Sequence, residues 1–352
     1  MNEDLLLFRK EFSEEVKITL IGVGGAGCNT ADRILSMNVK GIKVIAANTD
    51  VQHLDMISAH QKILLGRGTT KFRGAGGDPE VGRLAVEESI DEVRAALEGS
   101  DIVFVAAGLG GGTGTGGAPL VAEIAKELGA IVIGVVTLPF KFEGNVRKRI
   151  ALKGLEDMRD KCHTVVAIDN NKLLDLYPQY SLKTAFSLAD EVICNMMMSI
   201  TESIAKPSLI NIDYADFKTV VMRGKLAALG IGKSSTPNRA EEATFSALQN
   251  PLLDVSYDGL TGAIIHVAAG EDLKISEAAR PAEIISELMG EEALVIWGAR
   301  IDNSLGSSLQ VSLILTGVES PELKKHVEEE KQSLDEKEIE EIMEELGIKS
   351  LS

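Results

Sequence analysis

The sequence predicts an α/β protein with a parallel-sheet domain, a long central helix and a smaller α+β domain. Apolar, strand-like runs alternate with helical patterns from residue 16 to residue 170, which is typical of parallel strands joined by helical crossovers. One helical pattern then continues from 182 to 205, and shorter mixed elements follow it. We therefore place a first domain at 16–180, a central helix with its loop at 181–217, and a second domain at 218–317.

The first domain alternates predicted strands and helices. We place the strands at 16–23, 43–48, 62–65, 102–107, 130–138 and 164–168, and the helices at 27–37, 79–97, 118–124 and 146–159. The run 130–138 is apolar apart from Thr137, which indicates a strand buried on both faces. Such sheets bind ligands at the carboxyl ends of their strands, so we expect the functional site in the loops found there.

The central helix carries an apolar stripe at helical spacing, and Pro207 is expected to end the helix. The stripe consists of Leu188, Val192, Met196, Ile200 and Ile204. In the second domain we predict strands at 226–232, 262–269, 293–301 and 309–316, with helices at 240–249 and 275–289. This domain shows no catalytic constellation of its own.

Charge and composition narrow the function classes. The chain has 36 basic and 53 acidic residues, a net charge of −17 and 4% aromatic residues, a combination that disfavours direct binding to nucleic acid. Its three widely spaced cysteines fit a reducing cytoplasm better than a disulfide framework or a zinc site. The N-terminal extension at 1–15 is charged, and no apolar run reaches membrane-spanning length, so we expect no direct membrane insertion.

The C-terminal tail at 318–352 is acidic, with twelve carboxylates against five lysines. Ser333 and Glu336 form a capping box and Gly347 is a helix stop, which predicts a short amphipathic helix between them. Its apolar stripe comprises Ile339, Ile342, Met343 and Leu346. The stripe fits two interpretations equally well: a helix packed on its own domain, or a helix that enters a partner's groove.

Glycine-rich loops follow predicted strands and precede helices, an arrangement in which backbone N–H groups bind phosphate. The first loop, 22–27, has glycines at the G-x-G-x-x-G spacing. The second, called here the glycine loop, spans 108–117 and holds seven glycines in ten residues, a costly composition for a plain turn. A third loop at 74–79 leads into a helix that begins with Pro79, so its N–H groups can also face phosphate oxygens.

Two phosphate cradles on one sheet suit a nucleoside triphosphate. The first loop, with Asp50 at the end of the next strand, would alone favour a nicotinamide-dependent dehydrogenase, but that interpretation gives the glycine loop no role. No Lys-Ser/Thr pair closes the glycine loop, so it is not a Walker A loop. The string 230–234 also fails that pattern because Ala227 stands where the first glycine should be, and we interpret it as a strand-to-loop passage.

The order Gly110-Gly-Gly-Thr-Gly-Thr-Gly116 resembles the signature loop of the tubulin/FtsZ superfamily of polymerising GTPases. The resemblance covers residues 16 to 318 and implies a Rossmann-like GTP-binding domain. It implies GTP with Mg²⁺, an ion that prefers phosphate oxygens and water as ligands. The residues that it assigns to GTP binding are Gly24, Gly25, Ala26, Gly27, Cys28, Asn29, Ala75, Gly76, Gly77, Gly108, Gly110, Gly111, Gly112, Thr113, Gly114, Thr115, Glu143, Arg147, Asn170, Phe186 and Asp190.

By the resemblance, Asp190 on the central helix contacts the base, and Phe186 lies one turn before it, where a ring could stack near the same base. The chemistry suits guanine, because a carboxylate can accept hydrogen bonds from both N1–H and N2–H, whereas adenine offers no such pair of donors. A further base contact is left open between Asn170 and Asn171, since this chain has Asp-Asn-Asn at 169–171 where many relatives have Pro-Asn-Asp.

The string from Asn211 to Asp216 resembles the synergy loop of the family, which follows the central helix. Asp213 and Asp216 are three residues apart and can face one small volume, where one carboxylate orients a water and the other polarises it or helps to hold the cation. The resemblance implies that they act, with Asn211, on the nucleotide of the next subunit. Asp213 also fits the N-cap of a helix, and both roles can hold together.

The resemblance implies a cytoplasmic, GTP-hydrolysing protein that polymerises head to tail for cell division and is found at the division site. It further implies that the tail binds a cell-division partner or a membrane anchor. The alternative is a tubulin-like filament or scaffold protein that binds GTP with little turnover, although the carboxylates at 213 and 216 favour an enzyme. The dehydrogenase is the third possibility.

Overall fold

A computed structural model describes residues 16–37, 39, 41–176, 179–205, 209–249, 259–290 and 292–319. The predicted extension at 1–15, Pro207 and the amphipathic helix predicted in the tail lie outside these ranges. The described chain forms a six-stranded sheet and a four-stranded sheet, both associated with helices. The predicted α/β architecture with a smaller second domain is therefore confirmed.

The first domain is built on a sheet with the strand order β3-β2-β1-β4-β5-β6. All neighbouring strands are parallel, as predicted. The order reverses between β1 and β4, the position where sheets of this kind bind ligands. The strands are β1 Ile18–Val23, β2 Ile42–Asn48, β3 Gln61–Leu64, β4 Ile102–Gly108, β5 Ile131–Leu138 and β6 Thr164–Asp169.

Helices cover both faces of this sheet, because alternate residues of β1 belong to two different apolar cores. The predicted helix at 79–97 is in fact two helices. It is interrupted at Ser89, whose hydroxyl accepts a hydrogen bond from Gly66 N at 3.0 Å. The helices are Gly24–Ser36, Val51–Met56, Arg67–Thr70, Pro79–Glu88, Ile90–Leu97, Thr113–Glu127, Asn145–Lys161 and Asn170–Leu176, with a 3₁₀ turn at Lys141–Glu143.

Two helices begin earlier than predicted. The first starts at Gly24 rather than at 27, and the one after the glycine loop starts at Thr113 rather than at 118. A proline such as Pro119 is typical of the first turn of a helix, but here it lies inside the helix, where it cannot donate a hydrogen bond to the carbonyl of Thr115. In both cases the loop glycines themselves form the first helical turn, which brings backbone N–H groups to the sheet edge.

The central helix spans Leu182–Ala205, the limits that the sequence predicts. Ile193, Met197 and Ile200 are buried in a core that includes residues of both sheets. The predicted burial of Ile200 is thus confirmed, while the side chains of the other four stripe residues lie outside the described set.

The second sheet has the order β7-β10-β8-β9 and is mixed, since β8 and β9 are parallel and β10 is antiparallel to both of its neighbours. The string 230–234 lies within β7, so the predicted passage into a loop is wrong. Gly232 serves packing, because a Cβ there would lie 1.9 Å from Ala243 O. The elements are β7 Ala227–Ser234, β8 Gly262–Ala269, β9 Leu294–Ile301, β10 Leu309–Thr316, helices Tyr214–Val221, Arg239–Leu248 and Ile275–Leu288, and a 3₁₀ turn at Asn303–Leu305.

Candidate functional site

A cleft of about 690 Å³ opens at the carboxyl ends of the first-domain strands. It lies where the loops after β1 and β4 meet, with the ends of β2 and β5 beside them. The tertiary structure brings together residues that are far apart in the sequence. The predicted GTP-binding residues that line the cleft are Gly25, Ala26, Asn29, Ala75, Gly77, Gly108, Gly111, Gly112, Thr113, Gly114, Glu143, Arg147, Asn170, Phe186 and Asp190.

Two helices begin at this cleft without a side-chain cap. The N-cap residues are Val23 for the helix Gly24–Ser36 and Gly112 for the helix Thr113–Glu127, and neither supplies a side-chain hydrogen bond. Neither first turn contains an acidic residue. The first N–H groups and the positive end of each helix dipole are therefore available to an anion.

The third loop contributes in a different way. Ala75 and Gly77 line the cleft, but the helix that follows is capped by Asp78, whose carboxylate accepts a hydrogen bond from Glu80 N at 2.9 Å. A carboxylate thus occupies this helix start, and only the loop residues before it remain for a phosphate. The expected anion site at this helix start is corrected accordingly.

The glycine loop and the third loop approach each other so closely at the cleft that only glycine fits between them. A Cβ on Gly112 would lie 2.7 Å from the Cβ of Ala75, so the glycine loop and the third loop touch there. Gly25 and Gly111, by contrast, have nothing within 4 Å of a Cβ, because they border the open cleft. The absence of side chains leaves both the loop contact and the approach of a ligand unobstructed.

Six predicted binding residues do not line the cleft: Gly24, Gly27, Cys28, Gly76, Gly110 and Thr115. Cys28 is fully buried, its thiol lies 3.5 Å from the carbonyl oxygens of Gly22 and Ala47, and burial raises its pKa to about 12. The hydroxyl of Thr115 accepts a hydrogen bond from Gly110 N at 2.9 Å. These side chains stabilise the loops instead of facing the cleft, which corrects the assignment of Cys28 and Thr115.

Asp190 lies in the cleft on the central helix. Its carboxylate accepts a hydrogen bond from Thr30 Oγ1 at 3.0 Å. Burial raises the pKa of Asp190, and the hydrogen bond from Thr30 and the charge of Arg33 oppose that effect. A carboxylate has about four acceptor positions, so this group can accept further donors from a ligand.

Asn170 and Asn171 differ in their surroundings. Asn170 lines the cleft, and its Oδ1 is buried without a hydrogen-bond partner among the described residues. Asn171 is engaged by the protein, because its Nδ2 donates to Asp169 Oδ1 at 2.7 Å and its Oδ1 accepts from Lys141 N at 2.7 Å. A buried acceptor without a partner is unfavourable, so a donor on a ligand would satisfy Asn170.

Aromatic and charged side chains border the end of the cleft where Asn170 lies. Phe186 is 41% exposed and meets Phe140 edge-on, with ring centroids 5.4 Å apart. Much of the Phe186 ring therefore remains available for stacking with a planar ligand. Glu143 and Arg147 form an ion pair at the rim.

Sequence reasoning missed several polar residues of the cleft: Thr30, Asn48, Thr49, His53 and Thr137. The position of β2 was the available signal, because its carboxyl end at Asn48 lies beside β1 in a parallel sheet. The hydroxyls of Thr49 and Thr113 share a hydrogen bond of 2.6 Å. Asp50 caps the helix Val51–Met56 by accepting two backbone N–H groups, so its carboxylate is engaged by the protein.

The predicted catalytic residues Asn211, Asp213 and Asp216 are exposed and do not line the cleft. Asp213 caps the helix Tyr214–Val221, with Oδ1 accepting from Ala215 N at 3.1 Å, so the predicted capping role is confirmed. Capping uses one oxygen and leaves the carboxylate at the surface.

The synergy loop lies at the opposite end of the first sheet from the cleft. Tyr214 Oη donates a hydrogen bond to Asp101 O at 3.2 Å, and Asp101 immediately precedes β4. The glycine loop follows the other end of the same strand. At about 3.3 Å per residue, the seven residues of β4 separate the two ends by roughly 20 Å.

The first domain matches the sequence profile described as "Tubulin/FtsZ family, GTPase domain" over residues 17–178, and residues 225–319 match "FtsZ family, C-terminal domain". Cell division protein FtsZ 1 of Methanocaldococcus jannaschii is 47% identical over 318 residues, which covers 90% of this chain and 87% of the relative. This chain belongs to the tubulin/FtsZ family. FtsZ 1 of Thermococcus kodakarensis is also 47% identical, with 87% of this chain and 82% of that protein covered.

A solved structure described as an empty FtsZ dimer of M. jannaschii matches this fold with a TM-score of 0.82 and 46% identity, covering 90% of this chain and 92% of that chain. The first domain is therefore an FtsZ-family GTPase domain, and the family assignment replaces the dehydrogenase interpretation. Among the described residues, no helix combines the length and the apolar composition needed to span a bilayer.

Proposed function

We propose that this GTPase assembles head to tail and hydrolyses each GTP between two subunits. The observation that carries the proposal is the placement of the cleft and the synergy loop at opposite ends of one sheet. The two ends of β4 are roughly 20 Å apart, so Asp213 and Asp216 at one end are too far away to act on a nucleotide in the cleft at the other end. Stacking identical subunits in one direction would bring the loop of one to the cleft of the next, and such a contact does not close.

Exposed apolar side chains beside the cleft and beside the synergy-loop segment support this assembly. Phe142 and Val146, beside the cleft, are 68% and 61% exposed. Leu209 and Met222, which flank the synergy-loop segment, are 67% and 54% exposed. A head-to-tail contact would bury both pairs, and burial of large apolar side chains stabilises an interface.

In the proposed complex, the phosphates of GTP lie at the two uncapped helix starts, and guanine lies at the end of the cleft bordered by Phe186, Asp190 and Asn170. The helix starts without a side-chain cap fit the phosphates, and the buried oxygen of Asn170 fits a donor on the base. Mg²⁺ would be held mainly by phosphate oxygens and water, and would neutralise charge on the phosphates.

The proposed hydrolysis uses the carboxylates of the neighbouring subunit. The oxygen of a water forms a bond to the γ-phosphorus while the bond from that phosphorus to the bridging oxygen of GDP breaks. Asp213 or Asp216 orients this water and accepts its proton, and Asn211 of the same loop helps to position it. The products are GDP and inorganic phosphate.

The biological role that we propose is cell division, because both named relatives are cell division proteins. We place the protein in the cytoplasm at the division site, with the acidic tail binding a division partner or a membrane anchor. The composition of the tail, seven net negative charges with an amphipathic pattern, supports an interaction role.

GTP turnover measured against protein concentration, with light scattering recorded in parallel, tests the proposal. Turnover per subunit should rise with concentration as filaments form. Equal turnover down to the monomeric range would refute a site shared by two chains. Filaments that form with almost no turnover would favour a GTP-binding scaffold.

A mixing experiment tests the shared site directly. Asp213→Ala leaves a subunit with an intact cleft, and a Thr113 variant that cannot bind GTP retains an intact loop. An equimolar mixture should recover about one quarter of wild-type turnover, because a quarter of randomly formed contacts pair an intact cleft with an intact loop. A mixture as inactive as its components would contradict the proposal.

A further inference from the structure

A chain of hydrogen bonds runs along one wall of the cleft, from the end of β2 to the first helix. Asn48 Oδ1 accepts from the backbone N–H of Thr49 at 2.9 Å. Asn48 Nδ2 lies 3.2 Å from His53 Nδ1, and His53 Nε2 lies 3.1 Å from Asn29 Oδ1. All four residues line the cleft, yet the proposed hydrolysis assigns no role to His53.

The direction of each hydrogen bond follows from its first member. A backbone N–H can only donate, so the group of Asn48 that faces Thr49 is the carbonyl oxygen. The amide NH₂ of Asn48 therefore donates to His53 Nδ1. A neutral imidazole that accepts at Nδ1 carries its proton on Nε2, and Nε2 donates to Asn29 Oδ1.

The backbone holds the imidazole of His53 in this position. Asp50 caps the short helix Val51–Met56 and accepts a hydrogen bond from His53 N at 3.2 Å. The next residue, Leu54, is 4% exposed and is buried against the first helix through Cys28. With its backbone fixed on both sides and both ring nitrogens engaged, the half-buried His53 ring has little freedom to turn.

We infer that His53 is a positioning residue for GTP binding and that it acts through Asn29. Because Asn29 Oδ1 is occupied by the imidazole, its NH₂ group is the end that remains for a ligand, and it has no hydrogen-bond partner among the described residues. This NH₂ donates to an acceptor oxygen of the ribose or phosphates. The inference rests on the proposed placement of GTP in the cleft.

The experiment compares the affinity of full-length variants for a non-hydrolysable GTP analogue by calorimetry. His53→Leu removes both ring hydrogen bonds and should weaken binding about tenfold, the equivalent of roughly one hydrogen bond. His53→Gln should stay within about threefold of wild type, since its amide supplies one acceptor and one donor. His60→Leu is the matched control, because exposed His60 hydrogen-bonds to Val44 N at 2.9 Å outside the cleft.

A double-mutant cycle separates positioning from a general loss of structure. If His53 acts through Asn29, then His53→Leu should add less than about twofold to the defect of Asn29→Ala, because interacting residues are not additive. The inference would be overturned if the double variant lost affinity by the product of the two single fold-losses, or if His53→Leu bound the analogue with unchanged affinity. Wild-type protein that does not bind the analogue would instead refute the proposed function.

Loss of folding is checked through the Tm of the ligand-free proteins. If His53→Leu lowers Tm more than His60→Leu does, His53→Phe takes its place in the cycle, because it keeps a ring but has neither nitrogen. The same tenfold loss and the same lack of additivity with Asn29→Ala are then expected. Normal analogue binding by His53→Phe would also overturn the inference.

Discussion

Replacement of Asp190 by Ala should separate recognition of guanine from binding of phosphate. The carboxylate lies in the cleft, its pKa is raised by burial, and it accepts one hydrogen bond, from Thr30 at 3.0 Å. Burial has therefore already removed this carboxylate from water before GTP binds. The remaining acceptor positions of the carboxylate have no donor among the described residues, and the N1–H and N2–H groups of guanine would supply two. Asp190→Ala leaves those two donors without their charged acceptor.

The expected loss is large for GTP and small for ATP. A hydrogen bond to a charged group contributes about 1.5–3 kcal/mol, and the oxygen of Asn170 remains to accept one donor, so we expect a loss of about 3 kcal/mol. That corresponds to a roughly 150-fold rise in the Kd for GTP. Adenine offers no pair of donors to the carboxylate, so the Kd for ATP should change by less than about threefold.

Titration of both nucleotides into wild type, Asp190→Ala and Glu191→Ala measures these changes. Glu191 is the matched control because it is the next residue of the same helix and is exposed. Its replacement should change the binding free energy of neither nucleotide by more than about 0.5 kcal/mol. Equal losses for GTP and ATP in Asp190→Ala, or a loss no larger than that of the control, would refute the assignment of Asp190 as the guanine reader.

Three further predictions concern catalysis, pH and stability. Asp213→Ala should leave GTP binding intact and lower turnover by about 10²–10⁴-fold, with longer-lived filaments by light scattering; unchanged turnover would contradict its role. Because burial raises the pKa of Asp190, GTP affinity should fall as the pH falls through that raised pKa while ATP affinity does not; parallel pH profiles would disprove the link. Arg239, with a side chain 7% exposed, pairs with Asp272 and Glu277, so Arg239→Met should lower the free energy of unfolding in a denaturant titration by about 3 kcal/mol. Arg280→Met, at a partly exposed position, should lower the free energy of unfolding by less than about 1 kcal/mol, and equal losses would argue against a larger contribution from the buried Arg239 side chain.

Local patterns in the sequence were sufficient for the main elements. The central strands β1, β4 and β5 are almost continuous apolar runs because helices cover both faces of the sheet, and this pattern can be recognised without knowledge of distant residues. The limits of the central helix, Leu182–Ala205, followed from its apolar spacing. The glycine loop predicts a phosphate site, because a plain turn seldom needs so many glycines.

Only the tertiary structure decided which residues face the cleft. Cys28 and Asn29 are neighbours in the chain, yet one is fully buried and the other lines the cleft, because the first helix packs one side on the sheet. Asn170 and Asn171 diverge for a similar reason, since Asn171 is hydrogen-bonded to Asp169 and to Lys141. Contacts of this kind join residues far apart in the chain, and sequence spacing does not encode them.

The synergy loop shows most clearly the difference between what the sequence predicted and what the tertiary structure decided. Its carboxylates could be recognised from the string at 211–216, but the sequence does not give the distance between them and the glycine loop. Parallel strands place the predicted phosphate loops at the carboxyl edge of the sheet, whereas Tyr214 holds the synergy loop at the amino edge, beside Asp101. The residues therefore predicted the chemistry that we propose, while the tertiary structure showed that the cleft and the synergy loop lie at opposite ends of the first sheet.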